Sequence, residues 1–568
     1  MKKLVVEKRK LKKTSFFKNI AILVVAHIFI KIIGVVNKIY LTNREGFGDE
    51  GNAIYSSAFQ IYALFLTITS MGIPNAVSKI VSERLAVGDT KGAHKTFKIA
   101  IITFGFLGFL LSMFLCMYSQ RMAEEWLQIP EARLSLLALS PAVFFVSITS
   151  VVKGYFNGRE NLNIGANSQT IEQIFRTVIT ISLIEFIAQT TGLDTRVMAA
   201  GAAIATTLSE IVCFIYLYKY YMSVKGEIAN EIKRSVNYKY KGIRKIIKEI
   251  LTVSIPMSIG PIIGGINKNI DSMTIIRNLK KFMTETEAKL EYGILSGKID
   301  TLVAFPLSFN SAFTSTLIPA VSAAKASGDI TRANKKIKFS MLISVLIGVP
   351  STAGLIVLAK PILEFLFPNQ PSGAFLLQIS ATSITFIMLS QNINAVLHGL
   401  GKTIIPSIIL VLGAATKLIL NTILVQINPN EFILGGTAGA ATSTVISHNV
   451  TCLVSLIILK KYIKLQFGIK DFLKPLLATG MMVICMIFSY NTLMRIFSES
   501  LSIILTLLIS VVIYLLLILI FKVFSEEDIK KIPFGKKILL LLSYIPIAIE
   551  GFSSLSPDAM TISVAFFY

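Results

Sequence analysis

Apolar runs of roughly twenty residues recur along this chain from end to end, separated by short charged stretches. A bilayer core is about 30 Å thick, so a helix rising about 1.5 Å per residue needs about 20 apolar residues to cross it. Inside the bilayer no water satisfies backbone N–H and C=O groups, so each run has to close its hydrogen bonds within itself as a helix. The pattern predicts an all-α polytopic membrane protein with about fourteen transmembrane helices. Composition agrees: 53% of residues are hydrophobic and 15% charged, against roughly 25% charged in a typical soluble domain.

The net charge of +24 raises the possibility of a nucleic-acid partner, and its distribution speaks against one. Lys and Arg gather in alternate loops, the positive-inside pattern that sets topology. Residues 1–18 carry eight Lys/Arg and one Glu, and residues 219–248 carry nine basic residues. Both segments, and both chain ends, are therefore expected in the cytoplasm. The expected organisation is a basic N-terminus (1–18), six helices (19–221), a basic linker (222–248), six more helices (249–462), two further helices (463–524) and a tail (525–568). Within that tail, residues 538–549 form an apolar run too short to span.

The two six-helix segments are related by an internal repeat. "IIGVVNK" (32–38) matches "IIGGINK" (262–268), and "IPNAVS" (73–78) resembles "IPAVS" (318–322). "GDTKGAHKTFK" (88–98) matches "GDITRANKKIK" (328–338), and "AGAAIATTLS" (200–209) matches "AGAATSTVIS" (438–447). The four matches occur in one order at slowly drifting offsets. An even number of helices per unit makes the repeat parallel, which implies N- and C-lobes around a central cavity.

Several ionisable groups fall inside the apolar runs: Lys31, Lys38, Arg176, Lys268, Lys298 and Lys417, with Glu172, Glu185, Glu210, Asp271 and Asp300. A charge near the bilayer centre costs at least about 2.5–3.5 kcal/mol, so such groups face a watery cavity or a partner. Lys31 lies mid-span, whereas Lys38 is near enough to an end to snorkel. Glu172 with Arg176, and Lys268 with Asp271, have the spacing of same-helix ion pairs, structural or ion-coupling. Lys298 and Asp300, two apart, face different ways. Lys38 matches Lys268 in the repeat, and Arg176 matches Lys417, each eighteen residues after a glycine (Gly158, Gly399). Cations in both halves point to a cationic cavity for an anionic cargo. Gly34, Pro74, Gly264, Gly265 and Pro319 are candidate hinges, with kinks and close helix approach as the alternative.

No HExxH, paired-cysteine metal motif or GxSxG elbow is present, and "GLGK" (399–402) lacks P-loop spacing. A transporter is expected rather than an enzyme, with no cofactor and no ATP as direct energy source.

The stretches "GNAIYSSAFQIYALFLTITSMGIPNAVSKIVSERLAVGD" (51–89) and "KGYFNGRENLNIGANSQTIEQIFR" (153–176), with "SIPMSIG" (254–260), resemble a known group. It is the stage V sporulation protein B and lipid II flippase branch of the multidrug/oligosaccharidyl-lipid/polysaccharide flippase superfamily. The resemblance implies fourteen helices in two lobes around a central cavity. It also implies movement of an undecaprenyl-pyrophosphate-linked saccharide across the bacterial cytoplasmic membrane by alternating access, coupled to membrane potential or an ion. Basic residues of helices one, two and eight are expected to meet the pyrophosphate. Lys31 fits the first of these positions, Asn37 stands at the next, Ile68 and Thr69 leave the third uncharged, and Lys298 loosely matches the last. Partners implied are the lipid-linked saccharide and membrane lipids, and the protein is expected to act as a monomer. A teichoic-acid, capsule or spore-cortex precursor suits the same chemistry. An organic-cation exporter, which would want an acid-dominated cavity, and a non-transporting scaffold or scramblase are the other classes.

Overall fold

The computed structural model describes residues 16–523, apart from 71, 162, 236–241, 327–329, 464–468 and 522. The basic N-terminus up to residue 15 and the tail with its 538–549 run lie outside the described residues. Every regular element among the described residues is helical. The chain divides into two compact units, Met1–Leu465 and Gln466–Tyr568.

The first half of the larger unit holds α1 (Phe16–Asn43), α2 (Gly48–Ser70), α3 (Ile73–Ala86), α4 (Thr90–Arg121), α5 (Ala132–Gly158), α6 (Asn163–Thr190) and α7 (Thr195–Lys233). Its second half holds α8 (Ile243–Leu279), α9 (Glu285–Gly293), α10 (Asp300–Ala326), α11 (Ile330–Val357), α12 (Ala359–Leu366), α13 (Ala374–Ala381), α14 (Ser383–Gly399), α15 (Ile404–Leu424) and α16 (Gly436–Tyr462). The smaller unit holds α17 (Ile469–Leu493) and α18 (Glu499–Ile520), packed on each other.

Among the described residues, ten helical stretches are long and apolar enough to cross a membrane. They become eleven if Ile243–Ile255 and Ser258–Leu279, bent by 51°, count as one span. Fewer than the expected fourteen thus pass on length and apolarity among the described residues. In α6 the reason is physical: Glu172, Arg176 and Glu185 lower its hydropathy. The basic linker expected over 222–248 is helical over much of its length, because α7 runs on to Lys233 and α8 starts at Ile243. Spanning 39 residues, α7 is about 58 Å long at about 1.5 Å per residue, well beyond the bilayer core.

Local chemistry sets the breaks. Pro74, within the first turn of α3, has no N–H to donate to α2, and α2 stops at Ser70. Gly88, at φ +79°, turns the chain into Asp89, whose carboxylate accepts from Gly92 N at 2.8 Å and caps α4. Thr284 and Glu287 form a reciprocal capping box on α9.

In the first half, α5 packs on α2, α3, α4 and α7, and α6 packs on α7 and α1. Buried Phe97, Tyr155, Phe156, Val77 and Ile80 form a core there with Ile246 and Ile250 of α8. In the second half, α10, α11, α14 and α16 pack together and α15 lies on α8 and α16. The halves meet where α8 crosses α2 and where α1 crosses α10. One helix contact recurs in both halves. A Cβ on Gly158 would stand 2.6 Å from Ser78 O and 2.9 Å from Val81 Cβ. A Cβ on Gly399 would stand 2.9 Å from both Ile318 O and Val321 Cβ. Each glycine lets a helix sit directly against the backbone of its neighbour.

The halves are also tied at the end where α1 turns into α2. Asn43 Nδ2 donates to Leu366 O at 2.8 Å, Asn369 Nδ2 donates to Asn43 O at 2.7 Å, and Lys289 Nζ donates to Glu131 Oε1 at 2.7 Å.

Candidate functional site

Four of the predicted cations and two of the predicted acids gather between α1, α8, α10 and α15. Lys31 and Lys38 come from α1, Lys268 and Asp271 from α8, Asp300 opens α10, and Lys417 lies on α15. Asp300 is within electrostatic reach of Asp271, Lys417, Lys268 and Lys38, and Lys31 within reach of Lys268. Asp300, Lys268 and Lys31 are exposed. A carboxylate that is accessible and also ringed by charges from three other helices faces a space those helices enclose. Six charged side chains, four of them lysines, share this region.

Their pairing differs from the same-helix expectation for α8. Asp271 is bonded by Lys417 Nζ at 2.5 Å and by Asn421 Nδ2 at 2.9 Å, both across the interface with α15. Asn421 also donates to Thr274 Oγ1 at 3.1 Å. Lys268, released from Asp271, has no hydrogen-bond or ion-pair partner among the described residues. The same holds for Lys31. Lys38 donates to Ser56 Oγ at 3.3 Å and stands 5.9 Å from the centre of the Tyr55 ring. Asn37 is buried, and its side-chain oxygen has no partner among the described residues. Its counterpart in the repeat, Asn267, shares that property. Free ammonium groups and an unpaired amide oxygen leave polar capacity open beside the enclosed space.

Lys298 is placed elsewhere. A π-helical turn, Ile294–Ile299, joins α9 to α10, and it sends Lys298 and Asp300 in different directions, as their spacing predicts. Lys298 is fully buried. Its Nζ donates to Asp49 Oδ2 at 2.8 Å, to Gln370 O at 2.7 Å and to Ser372 Oγ at 3.3 Å. An ammonium has three donors, so this one is fully engaged in joining α2 to the segment before α13. Arg176 also stands apart from the lysine cluster. It bonds Glu172 on its own helix and lies 3.8 Å from Glu210 of α7. Glu185 accepts from Tyr40 Oη at 2.6 Å and Arg44 at 3.0 Å.

Among the candidate hinges, a Cβ on Gly34 would make ordinary contact with Gln173 at 3.7 Å, and one on Gly265 would press on Leu64 at 3.3 Å. Gly264 has open space around it, and Pro74 lies under Gly154 of α5, whose added Cβ would come within 2.7 Å of it. Pro319 lies within α10. Sequence reasoning missed Asp49, Asn421, Tyr62 and Lys153. Asp49 reads as one of two loop acids in "GFGDEGN", and Lys153 reads as a boundary charge before "GYFNG". Their partners lie on other helices, far away in sequence.

The chain is similar to a solved structure of the lipid II flippase MurJ in an inward closed conformation, at TM-score 0.62 and 17% identity, covering 88% of this chain and 99% of that one. It is also similar to an inward-facing multidrug resistance MATE transporter, at TM-score 0.59 and 15% identity, covering 78% and 98%. At those identities the likeness concerns the fold. The profile of the polysaccharide biosynthesis protein family matches residues 16–325, and that of MatE matches residues 292–423. This chain belongs to the polysaccharide biosynthesis protein family. It is 25% identical over 538 residues to stage V sporulation protein B of Bacillus subtilis (strain 168), covering 93% of this chain and 99% of that protein. To the lipid II flippase MurJ of the same organism it is 25% identical over 431 residues, covering 73% and 77%.

Proposed function

We propose that this protein is a flippase that moves an undecaprenyl-pyrophosphate-linked saccharide, such as a lipid II-like peptidoglycan precursor, across the bacterial cytoplasmic membrane. The observation that carries the reading is the excess of lysine over aspartate between α1, α8, α10 and α15. Lys417 and Asp271 neutralise each other, Asp300 offsets one further ammonium, and Lys31 and Lys268 are left without partners. A pyrophosphate brings negative charge and many acceptor oxygens, and ammonium groups are point donors suited to them. The lipid tail stays in the bilayer while the head group occupies the polar space.

In this reading the two repeats form N- and C-lobes that rock about the space by alternating access, with both chain ends in the cytoplasm and one copy sufficing for transport. The contacts of Asn43, Lys298 and Lys289 close the end opposite the cytoplasm. The membrane potential drives the cycle by acting on the moving charge. The lipid II flippase among the relatives supports a lipid-linked cargo; a teichoic-acid, capsule or spore-cortex precursor is the alternative within that class.

The test is binding of undecaprenyl pyrophosphate to the purified protein, followed by native mass spectrometry. The expected result is binding that Lys31→Ala and Lys268→Ala each weaken about tenfold, the loss of about 1.4 kcal/mol. Equal binding by folded variants would remove these lysines from the site. Preferential binding of an organic cation would turn the reading toward an exporter.

A further inference from the structure

A second set of intramembrane charges lies in the first half, away from the lysine–aspartate cluster, and the proposed cargo does not use it. Glu172 and Arg176 of α6 face Glu210 and Cys213 of α7 and Lys153 of α5. Tyr55 and Tyr62 of α2 close the remaining side. The carboxylate oxygens of Glu172 and Glu210 and the Cys213 Sγ lie within 4.8 Å of one another.

Two carboxylates at that separation repel strongly in a medium of low dielectric. A proton held between them replaces the repulsion with a hydrogen bond. Acids and a thiol are also residue types that ligate metals, but here Arg176 and Lys153 already stand against them. A metal ion would meet two positive charges, whereas a proton needs no ligand shell. An independent feature points to the same guest. Tyr62 is fully buried, and its hydroxyl has no hydrogen-bond partner among the described residues, although it faces Glu210 and Glu172. A buried hydroxyl left unpaired costs about 1–3 kcal/mol. That cost disappears when a neighbouring carboxyl loses its proton and accepts from the hydroxyl. Glu172 and Arg176 keep 15% and 16% of their side chains accessible, while Glu210 keeps 5%. The pair is therefore more open on the Glu172 side.

We propose that Glu172 and Glu210 form a proton-binding site that takes one proton from water and returns it to water, with Tyr62 donating to the carboxylate the proton leaves. Empty, the set is balanced, with Lys153 and Arg176 against two carboxylates. Loaded, it carries one net positive charge, which lets the membrane potential act on it. That the proton moves during transport rests on the flippase reading; that it is bound does not.

The test is infrared difference spectroscopy of the purified full-length protein on acidification. The expected result is a carbonyl band of a protonated carboxylic acid that Glu210→Gln and Glu172→Gln each abolish. Tyr62→Phe, which keeps the ring and removes only the hydroxyl, shifts the band. A wild-type spectrum without such a band, or a band unchanged in both glutamine variants, would leave a static ion-pair set and overturn the proposal. No lipid substrate enters this measurement. A titrating band in a protein that moves no lipid would sink the flippase reading and keep the proton site.

Discussion

Arg176 and Lys417 stand at matching places in the two halves, yet they hold different things together. Arg176 bonds Glu172 on its own helix and approaches Glu210 next door, so its charge is settled inside the first half. Lys417 reaches from α15 to Asp271 on α8, the helix that also packs on α2 of the first half. The neighbouring repeat position differs too: Glu210 follows "AGAAIATTLS", whereas His448 follows "AGAATSTVIS". The first half thus pairs its cations with two carboxylates that can share a proton, and the second pairs its cation with one. A duplicated cation fixes where charge sits; the helix that supplies its partner decides whether the pair braces one half or a helix shared by both.

Removing the cation from each site should separate the two most strongly. Lys417→Ala leaves Asp271 with the Asn421 amide as its remaining hydrogen-bond partner, at an expected cost of about 3–5 kcal/mol. Thermal unfolding in detergent would report it, and adding Asp271→Asn should recover most of the loss. Arg176→Ala should cost less, about 1–3 kcal/mol, because Lys153 remains beside Glu172 and Glu210 and a proton can neutralise one of them. Equal losses at the two sites would break the contrast. Arg176→Lys sharpens it further. A guanidinium fork serves two carboxylates where an ammonium serves as a point donor, so about 1 kcal/mol should go, with no comparable loss for Lys417→Arg if the longer side chain fits.

The ion pairs of half-exposed Glu285, at the start of α9, supply the smallest effect. Hydrogen bonds from Lys280 and Lys289 hold the Glu285 carboxyl below its usual range. A lowered folded-state value means the stabilisation is complete above the ordinary glutamate range and fades as pH falls through the lowered one. Solvent screening limits it to about 0–1 kcal/mol. Unfolding midpoints of Glu285→Gln and wild type should therefore differ slightly at neutral pH and converge in acid.

The helices, their order and the two families of cations were legible in the sequence because apolar length and charge spacing are local properties. Gly158 and Gly399 were legible as landmarks, and the structure gives their reason: each seats its helix on a neighbouring backbone. Partner choice was not legible. Lys268 sits three residues from Asp271, but Lys417, 146 residues away, takes that carboxylate because α15 lies against α8. Lys298 looked like a cavity lysine by its place in span eight. The π-helical turn before α10 rotates it toward Asp49, a loop acid on paper that the fold buries. Lys153 and Tyr62 were hidden for the same reason, since their neighbours come from α6 and α7.

Lys31 and Lys268 are central because they are the cations left free to serve a moving anion. The most direct measurement is leaflet-to-leaflet movement of a labelled undecaprenyl-pyrophosphate disaccharide in liposomes, with and without an imposed potential. Wild type should move it in a potential-dependent way, and Lys31→Ala and Lys268→Ala should lose at least about tenfold in rate while keeping the wild-type unfolding midpoint. Movement at the wild-type rate by both folded variants would contradict the account.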